Sequence, residues 1–77
     1  MVNVNKLKGK IVERGTNVTE LALKIGMDRT TLYRRFSSGG EDFTIKEADL
    51  IARELNLTCS DASEIFFSQF VALNAIN

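Results

Sequence analysis

The sequence predicts an all-α fold of five short helices around one small core. Three observations carry that prediction. Apolar residues recur at helical spacing in five stretches, helix-capping residues stand ahead of several of them, and there is no proline to break a helix. At 77 residues with 44% apolar content, the chain suits one packed domain and not a disordered tail.

The first helix is expected from about Asn5 to Arg14, with Leu7, Ile11 and Val12 inward and Gly15 as its stop. Gly9 inside it costs about 1 kcal/mol against alanine, a cost that close packing by another backbone would explain. In the second helix Leu21, Ala22 and Ile25 share a face, and Asn17 with Glu20 forms a capping-box pattern. Gly26 follows the last apolar residue, where a helix end favours a residue that tolerates a left-handed conformation. Met27 then tucks under the turn. Asp28 caps a third helix by accepting from the N–H of Thr30 or Thr31.

In that third helix Leu32 and Phe36 are four apart and face inward, leaving Arg29, Thr30, Tyr33 and Arg34 on the other side. Ser37-Ser38-Gly39-Gly40 is the most flexible punctuation in the chain and reads as a loop. Helix four opens with a second capping box, Thr44 to Glu47. It continues through Ile45, Ala48, Ile51, Ala52 and Leu55, spaced to bury one face. Helix five starts near Ser60, places Asp61 and Glu64 at its positive end, and carries Ile65, Phe66 and Phe67. Residues 1–67 thus form the expected domain. Phe70, Val71, Leu73 and Ile76 make residues 68–77 an apolar extension, which either completes the core or serves self-association.

The third helix points to a chemistry. A helix held from behind and offering donors in front suits the major groove of B-DNA, where guanine shows two acceptors matched to a forked guanidinium. Arg29 and Arg34 are the bidentate candidates, and Thr30 suits a base edge or a thymine methyl. Tyr33 suits a phosphate or a sugar.

At these residues the chain resembles the lambda-repressor-like, Cro-type helix-turn-helix family of DNA-binding proteins. The resemblance rests on Glu20-Leu21-Ala22, Ile25-Gly26-Met27, Thr31-Leu32 and Phe36. It runs from about Lys6 to Phe67 and is specific between Asn17 and Phe36. Val18 stands where many members carry a phosphate-binding glutamine, so that contact is not carried over. Asp28 stands where many carry serine or glycine. The resemblance implies a compact five-helix domain with the motif at helices two and three. It also implies a phage- or prophage-type repressor that acts as a homodimer by occupying an operator, with half-sites about 34 Å apart. Arg29, Thr30 and Arg34 would read bases, while Lys24, Tyr33, Arg35, Ser37 and Ser38 would hold the DNA backbone. Arg35 adjoins the buried side of helix three, so its head reaches either a phosphate or an acidic neighbour. The Ser37–Gly40 loop is either a phosphate contact, through free N–H groups, or an ordinary connector.

Charge is segregated along the chain. Residues 1–40 hold eight basic and three acidic residues, net +5, and residues 41–77 hold two basic and seven acidic, net −5. Such a polarity orients a protein in the field of a polyanion, although the total is zero.

Other function classes find little here. Histidine is absent, the single Cys59 makes neither an internal disulfide nor a zinc site, and Gly39-Gly40 is too short, and follows a helix instead of a strand, for the glycine-rich phosphate loop of an enzyme. Glu41 and Asp42 read as a solvated turn. The expectation is therefore no enzyme, no cofactor, no metal and no small-molecule effector, with no second domain to sense one. No stretch reaches the 18 or more apolar residues of a membrane span, and no signal-type segment opens the chain, so the expected location is the cytoplasm. The rival is a protein-interaction module on the same scaffold, an antirepressor or a regulator's partner, which the zero net charge and the apolar extension would suit.

Overall fold

Each helix begins where a short polar side chain takes over a backbone donor. In the computed structural model, which describes residues 2–67, the helices are α1 (Val4–Glu13), α2 (Val18–Ile25), α3 (Arg29–Ser37), α4 (Ile45–Glu54) and α5 (Cys59–Phe66), with no strand among the described residues. Asn3, Asn17 and Asp28 accept from the N–H groups of Lys6, Glu20 and Thr30 at 3.1, 2.9 and 2.8 Å. Thr44 and Thr58 accept from Glu47 and Asp61 at 3.1 and 3.0 Å. Each such cap contributes about 1 kcal/mol. Only Thr44 makes the reciprocal box, in which the Glu47 carboxylate accepts the Thr44 N–H. Glu20 instead accepts from the Thr16 hydroxyl at 3.2 Å.

The stops are as regular as the starts. α1 to α4 each end on a left-handed residue, Gly15, Gly26, Gly39 and Asn56, followed by a residue whose N–H reaches back five positions. At Gly26 (φ +75°) this bond runs from Met27 to the Ala22 carbonyl at 2.9 Å, and it aims the chain sharply into α3.

The helices enclose a core of Leu7, Ile11, Leu21, Ala22, Leu32, Phe36, Ala48, Ile51, Leu55, Ile65 and Phe66. α2 packs against α3 and α4, and α1 against α5. Phe43 joins two of the core aromatics edge to face, with its ring 5.9 Å from both Phe36 and Phe66. The N-terminal segment closes the far side. The Asn3 N–H donates to the Ile65 carbonyl, and Val2 lies so close to Gly40 that a Cβ there would stand 2.5 Å from the Val2 Cβ.

α1 is latched to α5 by charge. Lys10 meets Asp61 at 3.1 Å, and Lys6 reaches both Asp61 and Glu64. The Lys10 ammonium holds the Asp61 carboxyl below the usual carboxylate range, and Glu64 and Asp61 in turn raise Lys6 and Lys10.

Several sequence expectations are corrected at element edges. α1 begins at Val4 with Asn3 as its cap, and α5 begins at Cys59, ahead of Ser60. Val12 is exposed, because Leu7 and Ile11 fill the space between α1 and the core. Ile45 is exposed too: as the first residue of α4 it projects past the core's rim. Phe67 lies one residue beyond α5 and is about half exposed. No atom approaches the space beside Gly9, so no close backbone explains that glycine. The extension 68–77, with its expected part in the core or in self-association, lies outside the described residues.

Candidate nucleic-acid interface

α3 is fixed from behind by two side chains. Leu32 is fully buried and Phe36 is 8% exposed. At about 100° per residue, Arg34 lies opposite the midpoint of that pair. It therefore points straight out, with Thr30 one turn before it and Ser37 one turn after. All three are exposed. Arg29 departs from the expectation that it lies on that outward side: it sits about 40° from the midpoint, on the stripe of Leu32 and Phe36, and is exposed at the first position of α3. Tyr33, one turn later, forms the flank nearer α2. Tyr33 Oη lies 3.4 Å from Thr19 Oγ1, a long contact that steers the ring toward α2.

Which cations remain free is decided by tertiary packing. Of the eight basic residues in 1–40, Lys6 and Lys10 are engaged by α5, and the Arg14 Nε donates to the Leu55 carbonyl at the end of α4 at 2.8 Å. Lys24 lies 3.9 Å from Glu54, an exposed pair too long to hold it. Among the described residues, Arg29, Arg34 and Lys8 meet no carboxylate. A cation at the first turn of a helix is disfavoured by the helix dipole, so local energetics do not account for Arg29.

Of the expected backbone-contact residues, Arg35 is turned toward the fold and Ser38, though exposed, is engaged by its own helix end. Arg35 grips Glu47 with both arms of its fork, Nε to Oε1 at 3.1 Å and Nη2 to Oε2 at 3.0 Å. The pair is largely covered, with side-chain exposures of 22% and 16%. The Arg35 guanidinium holds the Glu47 carboxyl below its usual range, and Glu47 raises Arg35. Of the two fates open to Arg35, the acidic neighbour is the one realised. The Ser38 hydroxyl donates to the Arg35 carbonyl at 2.9 Å.

The loop's N–H groups are committed as well. Those of Ser38, Gly39 and Gly40 go to the carbonyls of Arg34, Phe36 and Arg35. They close α3 and are not held open for a phosphate. Ser37 keeps an exposed hydroxyl.

Sequence reasoning missed Lys8, whose ammonium lies 5.9 Å from the centre of the Phe36 ring. Nothing local marks it among the neighbouring lysines. Among the described residues, no three His, Cys, Asp or Glu side chains gather as a metal site, and no helix is long and apolar enough to cross a membrane. Cys59 is an exposed free thiol at the start of α5. Compared with known proteins, the chain matches no family model, no curated protein and no solved structure.

Proposed function

We propose that this protein binds duplex DNA sequence-specifically and regulates transcription. α2, the turn at Gly26 and α3 act as a helix-turn-helix, and α3 is the recognition helix. The single observation that carries this reading is the pair Arg29 and Arg34. Both are exposed on a helix anchored by Leu32 and Phe36, Arg34 opposite those anchors and Arg29 at the helix's first position, and neither has a carboxylate partner among the described residues. In this reading Arg29, Thr30 and Arg34 face base edges, and Lys24, Tyr33 and Ser37 hold the phosphate backbone. Arg35 and Ser38 stabilise the recognition helix from its far end. The resemblance to Cro-type repressors supports a phage or prophage regulator in the bacterial cytoplasm. It would act as a homodimer that covers an operator and blocks polymerase.

Selection of bound fragments from random duplexes tests the proposal. The expected result is a two-fold symmetric consensus with half-sites about one helical turn apart. On that consensus, Arg34→Ala should lose about 1–3 kcal/mol and relax preference at one base pair, whereas Lys24→Ala should weaken all sequences alike. Equal losses on consensus and scrambled DNA for both variants would refute the base-reading assignment.

The protein-interaction reading draws on Leu23, an apolar side chain 80% exposed on α2, and on the pairing of so many cations within the fold. The two readings part on salt. Binding to DNA falls steeply between low and physiological salt; an apolar protein contact is nearly indifferent.

A further inference from the structure

We infer that Lys8, on α1, is a phosphate-binding residue that extends the α3 interface onto a second helix; the inference rests on the DNA-binding reading above. α1 turns two flanks to its neighbours. Lys6 and Lys10 lie on the flank that faces α5, where carboxylates neutralise them. Lys8 lies on the other flank, with its ammonium above Phe36 at the C-terminal end of α3. It is exposed, and among Lys6, Lys8, Lys10 and Arg14 it is the one that meets no carboxylate among the described residues.

The chemistry of that end of α3 shows why a lysine matters there. A helix C-terminus carries negative partial charge and repels a phosphate. The N–H groups of Ser38, Gly39 and Gly40 are spent on the last carbonyls of α3, so the loop offers no anion nest. Arg35 is neutralised by Glu47, and Glu41 and Asp42 follow directly in the turn. Ser37 offers only a neutral hydroxyl there, so a charged phosphate contact at this end needs a cation from elsewhere. Lys8 supplies one, carried on a rigid helix and steadied over an aromatic face. Together with Lys24 near the other end of the motif, it would give the recognition helix a backbone anchor at each end.

The alternative is that Lys8 only stabilises the fold, through Phe36 and the helix end. Lys8→Gln separates the two, with Lys6→Gln as a control whose charge is already paired. The affinity of each full-length protein for the selected duplex is measured across a range of salt concentrations, alongside its melting temperature. Lys8→Gln should weaken binding several-fold on consensus and scrambled duplex alike. It should also reduce the slope of log affinity against log salt by about one unit, with melting little changed. Lys6→Gln should leave the slope as it is. A wild-type slope for Lys8→Gln overturns the phosphate role while leaving the DNA-binding reading intact, and so does a loss of binding that only tracks a loss of melting temperature. Wild-type protein that binds no duplex at low salt overturns both.

Discussion

At the scale of single residues, two arginines one position apart have opposite fates. Arg34 points away from the core, while Arg35 is drawn against α4 by Glu47. The difference is one step of about 100° around the helix. It predicts a difference in tolerance. Arg34→Lys keeps a positive charge but loses the planar fork, so non-specific affinity should hold while discrimination at one base pair falls by about 1–3 kcal/mol. Competition of consensus against single-base variants measures this directly, and discrimination equal to wild type would argue against bidentate reading. Arg35→Lys should leave base preference alone and lower the melting temperature, because one ammonium cannot replace two parallel bonds to Glu47.

At the scale of elements, α3 can present a face only because α2 and its turn hold it. Leu32→Ala should cost about 2–5 kcal/mol of stability, read as a lower denaturant midpoint, and a change under 1 kcal/mol would mean the helix is held by something else. Two glycines give a sharper contrast. Gly9 lies in the open interior of α1, so Gly9→Ala should stabilise by up to about 1 kcal/mol. Gly26 sits at φ +75°, so Gly26→Ala should destabilise by about 1 kcal/mol despite the empty space around it. These elements were legible in the sequence because their causes are local: a capping side chain, a 3.6-residue period, a residue that accepts positive φ. The limits of burial were not legible at Val12, Ile45 and Phe67. Periodicity says which side of a helix is apolar, not how far the core reaches along it. The candidate site divides the same way. The outward direction of Thr30, Arg34 and Ser37 follows from Leu32 and Phe36 alone, whereas the exposure of Arg29, on the same stripe as those anchors, depends on where the core ends. The commitment of Lys6 to Glu64, 58 residues away, and of Arg35 to Glu47, 12 residues away, depends on the assembled fold.

At the scale of the whole molecule, paired charges should give the fold a pH dependence with two distinguishable limbs. Glu47 and Asp61 have folded pKa values held below the ordinary carboxylate range by Arg35 and Lys10. Their contribution is complete above the unfolded value of about 4 and is lost as pH falls through the lowered folded values. Lys6 and Lys10 are raised by Glu64 and Asp61, so their contribution is complete below about pH 10.4 and is lost as pH rises through the raised values. Stability should therefore be flat near neutrality and fall toward both extremes. Asp61 partners both lysines, so Asp61→Asn should flatten the acid limb and the alkaline limb together. Glu47→Gln should flatten only the acid limb, since its partner is an arginine that stays charged throughout. Urea midpoints taken at intervals from acid to alkaline pH decide the matter. An Asp61→Asn profile parallel to wild type at high pH would show that the Asp61 contacts of the α1–α5 latch contribute nothing to the alkaline limb, leaving only the Lys6–Glu64 pair to carry it.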